Sequence, residues 1–547
     1  MACRNVVSIV SSMQTQKHHA IQKQSHTERI NFTYKPNIWK YDHLLSLTSQ
    51  YSEEKYKVEV EKLKEEVGCT FTVTASPVAQ LVLIDRIDKL GLSDYYEVET
   101  KEALENTIMY LKSTNSSSKD LYATALFFRL LREHGYHASQ DMLKDFFDGE
   151  GKLPSDKKTL LELVEGSHLS MDGENLLNDI RLLSTKNLKN LLSDVDKFTT
   201  IPLAWRVRWY DVRRHITAQN CNNTNPMLLK LAKLNFNIIQ ATHQKDLKDV
   251  IRWWRNLYIA ESLDFTRDRI VESFFFAVGI ASEPQHGSMR KWLTKVIQLI
   301  LIIDDVYDIY GSLDDVQQFT LWDPNEVEWL PECMQICFRA LDATMEEICV
   351  EIQEQKGDLS TLPYLKQGWV NFCKALLVES TWHYEGHIPT LEDYLDNGWI
   401  SSSGSLFSFH VIHGMTNNIT IENLDLCKNC HEIIYHTSII IRLCNDQGTS
   451  TAELERGDVA SSILCYMQQE NISEDVAREY IENIILDSWK KINYHFNILS
   501  TSHQKIVKHV INGARMAHVM YPSGDGFGVQ DGETRDQILL NLVEPIT

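Results

Sequence analysis

Three carboxylates stand at the end of an apolar segment, where removing a charge from water is costly. Residues 298–311 read QLILIIDDVYDIYG, so Asp304, Asp305 and Asp308 follow a run of apolar side chains. On a helix, Asp304 and Asp308 lie one turn apart on the same face. Carboxylates this close repel one another unless a cation holds them, and hard oxygen ligands suit Mg²⁺ or Mn²⁺. The segment therefore predicts a divalent metal site, with a solvated acidic helix end as the alternative.

A second set of oxygen donors repeats this design. Asn445, Thr449 and Glu453 follow the apolar stretch HTSIIIRLC and are spaced four residues apart. A helix would align their amide, hydroxyl and carboxylate groups in one stripe, and each group is a competent Mg²⁺ ligand. An exposed polar stripe is the plain alternative.

Positive charge is supplied by three arginines. Arg267 and Arg269 precede three consecutive phenylalanines at residues 274–276, and Arg442 stands just before the second stripe. A guanidinium group can bind phosphate oxygens through two parallel hydrogen bonds. The alternatives are solvated surface arginines and phenylalanines of an ordinary core.

Together these groups predict a single cavity. Metal ions on the two stripes and the arginines would hold a diphosphate above apolar and aromatic walls. Metals neutralise the charge of a leaving group, and aromatic faces stabilise a carbocation in a cavity closed to water. We therefore expect chemistry that removes diphosphate from an allylic carbon.

The elements that position these groups are predicted to be helices. Apolar residues recur at three- and four-residue spacings in residues 55–67, 79–92 and 120–135, and alternating strand patterns are few. The fold class is therefore all-α. An Asn-rich break, TAQNCNNTNP at residues 217–226, is the best candidate for a linker.

The chain of 547 residues is too long for one hydrophobic core. We predict an N-terminal domain over residues 28–220 and a C-terminal domain over residues 221–547, which carries all the unusual chemistry. Residues 1–27 lack Asp and Glu. They form either an organelle transit peptide or a short disordered leader.

The net charge of −21 argues against a nucleic-acid or anionic-membrane binder. No apolar run reaches membrane-spanning length, so membrane insertion is not expected. The cysteines are odd in number and lack framework spacing, which predicts reduced thiols in an intracellular compartment.

The chain resembles plant class I terpene synthases, which are carbon–oxygen lyases acting on phosphates. The likeness extends from Arg29 to the C-terminus and rests on RINFTYKPNIW, RDR, DDVYD, NDQGTSTAE and YPSGDGFG, which occur in the family's order. The resemblance implies an N-terminal α-barrel without catalytic residues and a C-terminal catalytic helical bundle that binds three Mg²⁺ ions. α-Farnesene synthases and ocimene-type synthases are the most similar groups.

The resemblance also implies roles for single residues. Asp304, Asp305 and Asp308 correspond to the aspartate-rich metal site, in which Asp304 and Asp308 are the direct ligands. Asn445, Thr449 and Glu453 correspond to the second metal site, and Arg267, Arg269 and Arg442 to the diphosphate-binding arginines. Ser401, Ser402 and Ser403 correspond to the helix break that turns its carbonyls toward the cation. Phe276 corresponds to the cavity floor, and Tyr521, Asp525 and Phe527 belong to the mobile cap. Asn445 stands where many relatives have Asp, and Phe276 where many have Trp.

Two departures from the family pattern concern the expected product and the expected activity. Cyclising monoterpene synthases carry a tandem arginine eight residues before a Trp, whereas Arg29 is followed by Ile30 here. An acyclic product is therefore expected. The connection after Thr320 is also shorter than in relatives, which puts full activity in question.

The expected substrate is the fifteen-carbon farnesyl diphosphate, with the ten-carbon geranyl diphosphate as the alternative. The short leader favours the cytoplasm and farnesyl diphosphate, whereas its lack of acidic residues favours the plastid stroma and geranyl diphosphate. A monomer is expected.

Overall fold

The structure is a computed structural model that describes most of the chain. The described residues are 34–74, 76–113, 120–147, 156–191, 201–220, 225–263, 265–321, 327–356, 361–415, 430–456, 460–530 and 532–547. The predicted leader at residues 1–27 and the Arg29–Ile30 pair lie outside these ranges. The predicted short connection lies mostly outside them too, because residues 322–326 are not described.

Every regular element in the described residues is helical, which confirms the all-α prediction. The first helices lead up to the predicted domain boundary: α1 (Tyr41–Ser46), α2 (Glu54–Val73), α3 (Pro77–Lys89), α4 (Glu97–Ser113), α5 (Leu121–Glu133), α6 (Asp141–Lys144), α7 (Lys157–Ser167), α8 (Asn175–Leu191) and α9 (Arg208–Asn220).

The helices after the boundary include the longest in the protein. They are α10 (Pro226–Leu257), α11 (Ile259–Ser262), α12 (Ile270–Ile280), α13 (Gly287–Asp305), α14 (Leu313–Thr320), α15 (Glu332–Lys356), α16 (Thr361–Glu385), α17 (Leu391–Ser401), α18 (Gly404–Met415), α19 (His431–Arg456), α20 (Ser462–Glu470), α21 (Glu474–Ile498), α22 (Thr501–Met520) and α23 (Glu533–Ile538).

Local signals explain where several helices begin and end. The carboxylate of Asp120 accepts a hydrogen bond from the backbone N–H of Tyr122 at 3.1 Å and so caps the start of α5. Gly135, at φ +77°, lies just beyond the end of that helix. The periodic stretch at residues 55–67 forms part of α2, which buries Val60, Leu63 and other apolar residues of one face.

The predicted linker at residues 217–226 includes the ends of two helices, and the connection between them falls within residues 221–225. Helix α9 continues to Asn220, and the hydroxyl of Thr217 donates to the carbonyl of Arg213 at 3.0 Å within it. At the other end, Asn225 caps α10 and Pro226 is its first residue. The Asn-Pro pair therefore starts a helix, because Asn accepts from orphan N–H groups and Pro fits the first turn.

Residues 33–547 form one compact unit in this structure, and their buried apolar side chains make a continuous core. The domain limits 28–220 and 221–547 stay predictions. Helix α13 runs through the core, and its residues 299–303 are all buried. Among the described residues, no helix has the length and apolar character needed to cross a bilayer.

Candidate active site

The aspartate-rich segment ends the buried helix α13 and continues into a wider turn. Residues Val306–Tyr310 form a π-helical turn closed by a 2.8 Å hydrogen bond from the N–H of Gly311 to the carbonyl of Val306. Asp308 therefore stands on a π turn and not on the α-helix that its spacing predicts. Asp304 is half-buried and Asp308 is exposed, whereas Asp305 is fully buried. Such π turns are frequent at functional sites.

Asp305 contacts Arg267 instead of the cavity. Its Oδ2 accepts a hydrogen bond from the backbone N–H of Arg267 at 2.8 Å, and its Oδ1 lies 2.9 Å from the Nε of the same residue. Burial raises the pKa of Asp305 to about 7, although the Arg267 charge acts to lower it. Asp305 was expected among the metal-site residues, but it orients Arg267. The outer nitrogen of Arg267 then donates to Asp304 at 2.7 Å.

Tyr34 covers this pair from the N-terminal segment. Its ring centroid lies 4.8 Å from the guanidinium carbon of Arg267, and its side chain hydrogen-bonds Asp305. The cation–π contact and the hydrogen bond hold both charged groups. Tyr34 was not predicted, although RINFTYKPNIW was singled out as a family landmark.

The second oxygen stripe lies on α19, as its spacing predicts. Asn445 and Thr449 occupy successive turns, and the hydroxyl of Thr449 donates to the carbonyl of Asn445 at 2.9 Å. Glu453 belongs to the same helix one turn on, but its side chain lies outside the described residues. The neighbouring Asp446 faces the other way, because it accepts from Tyr394 and from the N–H of Ser462.

Arg442 joins a group that the sequence did not reveal. The Nη2 of Arg442 donates to the hydroxyl of Ser401 at 2.8 Å and to the carboxylate of Glu379 at 3.2 Å. The hydroxyl of Ser401 in turn donates to Glu379 at 2.5 Å. Glu379 lies on α16 within the apolar stretch ALLVESTW. A lone carboxylate in such a run is the signal that could have found it.

Charged groups on α13 and α19 influence the same side chains. Burial raises the pKa of Glu379, the Arg442 charge lowers it, and the charge of Asp304 raises it further. Burial likewise raises the pKa of Tyr521, which the nearby charges of Asp525, Arg267, Asp304 and Arg442 also influence. Asp304 on α13 and Arg442 on α19 therefore act on the same side chains.

A break between α17 and α18 lies where the family resemblance places it. Helix α17 ends at Ser401, Ser403 adopts a left-handed conformation at φ 63°, and Gly404 begins α18. The hydroxyl of Ser402 accepts from the N–H of Gly404 at 3.3 Å. A non-glycine residue at positive φ is uncommon and is often found at functional sites. That the carbonyls of this break face a cation stays a prediction.

Arg269 is placed differently from the other two predicted diphosphate-binding arginines. Its guanidinium donates to the carbonyls of Phe527, Asp268 and Lys35 at 2.7, 2.9 and 2.9 Å. Since Lys35 belongs to the N-terminal segment and Phe527 to the predicted cap, Arg269 links these two segments. Its role as a diphosphate ligand stays a prediction.

The predicted cap packs directly on the second stripe. A Cβ added to Gly448 on α19 would lie only 2.6 Å from the carbonyl oxygen of Tyr521. Within the cap, the carboxylate of Asp525 accepts from the N–H of Phe527 at 2.9 Å. Glycine at 448 is therefore what allows the cap to approach the helix.

Phe276, the predicted floor residue, is buried in an aromatic cluster. The Phe276 ring centroid lies 6.3 Å from that of Phe407 and 6.0 Å from that of Phe527. These edge-on and tilted arrangements are favourable for aromatic pairs. Phe276 thus connects the wall formed by α12 and α18 to the cap.

The residues present fit a cluster of Mg²⁺ ions. The candidate donors among the described residues are the carboxylates of Asp304 and Asp308, the side-chain oxygen of Asn445 and the buried hydroxyl of Thr449, all of them oxygen groups. Hard oxygen donors of this kind match the preference of Mg²⁺.

Comparison with known proteins gives the class. The family model described as "Terpene synthase, N-terminal domain" matches residues 38–208, and that described as "Terpene synthase family, metal binding domain" matches residues 255–491. The chain belongs to the terpene synthase family.

Curated relatives match along almost the whole chain. A protein named alpha-farnesene synthase from Ricinus communis is 46% identical over 539 residues, which cover 95% of this chain and 96% of the relative. A protein named (E,E)-alpha-farnesene synthase from Malus domestica is 45% identical and covers 95% and 94% respectively.

Solved structures share the fold. A limonene synthase crystallised with 2-fluorolinalyl diphosphate superposes with a TM-score of 0.88 at 36% identity, covering 94% of this chain and 99% of that one. Isoprene synthase from grey poplar leaves (Populus x canescens), in complex with three Mg²⁺ ions and dimethylallyl-S-thiolodiphosphate, gives 0.84 at 36% identity and covers 93% and 99%.

Proposed function

We propose that this terpene synthase ionises farnesyl diphosphate and releases diphosphate and an acyclic sesquiterpene of the α-farnesene type. The observation that carries the proposal is that Asp304 on α13 and Arg442 on α19, next to the two sets of oxygen donors, act on the same side chains, Glu379 and Tyr521. The relatives named α-farnesene synthases support the choice of substrate and product class.

The metal ligands proposed are Asp304 and Asp308 on one face, and Asn445, Thr449 and Glu453 on the other. Three Mg²⁺ ions would be held, the number present in the isoprene synthase complex. When bound, Mg²⁺ neutralises the charge of the diphosphate leaving group.

The arginines orient the diphosphate. Arg267 is fixed by Asp305 and Arg442 by Ser401 and Glu379, so each guanidinium is held in place before substrate binds. Such preorganisation avoids reorganisation during the reaction. Cleavage of the carbon–oxygen bond leaves its electron pair on the diphosphate and an allylic cation on the prenyl chain.

The aromatic walls and the cap determine what the cation can do. Phe276 and Phe527 present ring faces and edges to the chain, and the cap from Tyr521 to Phe527 excludes water. The cation then loses a proton to form a double bond. The released diphosphate is the proposed acceptor of this proton, since it lies beside the cation once the carbon–oxygen bond has broken.

The alternative is a monoterpene synthase acting on geranyl diphosphate. The close superposition with the limonene synthase supports it, because both enzymes would enclose a prenyl diphosphate in the same helical frame. Cavity length then decides between the two substrates.

Separate incubations with each diphosphate test the proposal. The full chain is supplied with Mg²⁺ and either farnesyl or geranyl diphosphate, and the hydrocarbons are analysed by gas chromatography and mass spectrometry. We expect an acyclic C15 hydrocarbon, with kcat/KM for farnesyl diphosphate at least about tenfold higher than for geranyl diphosphate, a difference of about 1.4 kcal/mol. A preference for geranyl diphosphate, or no hydrocarbon, would contradict it, and a chelator-treated reaction serves as the blank.

Two further properties complete the proposal. We propose a monomer of 63.2 kDa, which light scattering would show directly. We also propose a cytoplasmic location with the plastid stroma as the alternative, and a fluorescent fusion to the C-terminus of the full chain would distinguish them.

A further inference from the structure

A second cluster of ligand groups lies at the opposite end of α13 from the aspartates. Glu283, His286 and His509 bring one carboxylate oxygen and two imidazole nitrogens within 4.8 Å of one another. His286 directly precedes α13, and Asp304 lies near its end. At 1.5 Å per residue, about 27 Å separates the cluster from the candidate active site.

We propose that Glu283, His286 and His509 form a Zn²⁺ site, with water as the fourth ligand. Two imidazoles and a carboxylate are a common zinc donor set. The cluster contains nitrogen donors, unlike the all-oxygen face at the other end of the helix, and so has a different metal preference.

His509 is oriented as a metal-binding histidine would be. It is fully buried, and its Nδ1 lies 2.9 Å from the carbonyl oxygen of Ile280. A carbonyl accepts only, so Nδ1 carries the proton and Nε2 carries the lone pair. Within the described part of the chain, this buried Nε2 has no hydrogen-bond partner. A ligand histidine usually donates its other N–H to a carbonyl in this way.

The distances require only small adjustments. His286 Nδ1 lies 3.6 Å from Glu283 Oε2, and His509 Nε2 lies 4.0 Å from Glu283 Oε1. Bonds of about 2.0–2.2 Å in a tetrahedral site place ligand atoms roughly 3.3–3.5 Å apart. The two imidazole rings are perpendicular, with centroids 5.0 Å apart. The three ligand atoms all lie within 4.8 Å of one another, so shortening these separations by up to about 1.5 Å closes the site.

Lys508 is the competitor for the carboxylate. Its Nζ lies 3.2 Å from Glu283 Oε1, and its side chain is 43% exposed. A metal ion would displace this ammonium group into water. Replacing Lys508 by Gln should therefore strengthen zinc binding, which distinguishes a metal site from a simple ion pair.

Bound zinc would connect two elements that lead to the active site. Glu283 and His286 lie in the turn before α13, while His509 lies on α22, whose end continues into Tyr521 and the cap. A metal that binds only the folded chain stabilises it in proportion to its binding free energy.

The test uses the full chain, stripped of metal and then supplied with excess Mg²⁺. ZnCl₂ is added to this sample, zinc binding is measured by calorimetry, and Tm is measured by thermal unfolding. We expect one equivalent of Zn²⁺ to bind the wild type and to raise its Tm. Zinc should bind His286→Gln at least about tenfold more weakly than the wild type, and Lys508→Gln more tightly. Circular dichroism checks the fold of each variant.

His503→Gln is the matched control, because His503 lies on α22 as His509 does. This variant should bind zinc as tightly as the wild type does. Equal zinc affinity in the wild type and His286→Gln, or an unchanged Tm in the wild type, would overturn the proposal. Because neither readout involves catalysis, its failure is distinguishable from failure of the proposed function.

Discussion

Arg267 and Asp305 meet twice in the buried wall of the site, through the backbone N–H and the Nε of the arginine, at 2.8 and 2.9 Å. This double contact fixes the guanidinium, so that its outer nitrogen reaches Asp304 at 2.7 Å. The two adjacent aspartates consequently differ in role. Asp305 orients the arginine inside the protein, and Asp304 presents its carboxylate to the cavity.

Replacing Asp304 by Ala should abolish turnover while the helical signal is retained. The change removes a carboxylate that is proposed to bind metal and is partly exposed, so the fold does not depend on it. Metal stabilisation of a leaving group amounts to several kcal/mol, so kcat/KM should fall about a thousandfold. Asp314→Ala, an exposed acid on the next helix, should retain wild-type activity. Turnover by Asp304→Ala near the wild-type rate would refute the metal assignment.

Replacing Arg269 by Met should change the products more than the rate. The variant keeps an apolar side chain but loses the hydrogen bonds to Phe527 and Lys35, so the cap is no longer held to the N-terminal segment. Water entering the cavity would capture the cation, and the proportion of terpene alcohols should rise severalfold.

Arg252→Met, an exposed position on α10, serves as the control for the loss of a guanidinium. Product ratios from gas chromatography separate the two effects, because partial unfolding lowers all products alike. An unchanged ratio of alcohol to hydrocarbon in Arg269→Met would show that Arg269 does not hold the cap.

Replacing Gly448 by Ala should impair catalysis without lowering stability. Alanine gains about 1 kcal/mol in helix propensity over glycine, but its Cβ would lie 2.6 Å from the carbonyl oxygen of Tyr521. The cap must move away, and a displacement of about 1 Å can cost a hundredfold in rate. Gly68→Ala, whose Cβ would lie 3.7 Å from the Tyr96 ring, is the matched control. Equal kcat/KM in both variants would be inconsistent with close packing of the cap.

Histidine 518 should make stability sensitive to mild acid. His518 stacks on Trp205 and accepts from the Nε1 of Trp489 at 3.1 Å. Burial lowers its pKa to about 4, whereas an unfolded histidine has a pKa of about 6.5. Between these values the unfolded chain binds the extra proton, so the free energy of unfolding falls on acidification, by about 3 kcal/mol for this group.

Urea unfolding between pH 7 and pH 4 measures this contribution. The free energy of unfolding of His518→Gln should fall by about 3 kcal/mol less than that of the wild type over that range. His431→Gln, which replaces an exposed histidine, should behave as the wild type does. Parallel curves for the wild type and His518→Gln would exclude the proposed linkage.

Features with local causes were predictable from the sequence. Helix α5 follows from its apolar period, the Asp120 cap and the terminal Gly135, all within one short stretch. The oxygen stripe of Asn445 and Thr449 needs only the 3.6-residue repeat of a helix. In each case the interacting residues are within a few positions of one another.

Features that depend on distant partners were not predictable in this way. Glu379 and Arg442 are 63 residues apart in sequence, so nothing in either stretch reveals their contact. Arg269 resembles Arg267 in the sequence, yet the approach of two distant carbonyls decides its hydrogen bonds. The π turn that carries Asp308 likewise arises from one backbone hydrogen bond that no side-chain pattern indicates.

The most direct test of the account is a crystal structure of the full chain with Mn²⁺ and the unreactive thiolo analogue of farnesyl diphosphate. Anomalous scattering locates the ions independently of any model. We predict manganese peaks beside Asp304 and Asp308 and beside Asn445, Thr449 and Glu453, with the diphosphate between them. Peaks absent from both faces, with the analogue bound elsewhere, would contradict the account.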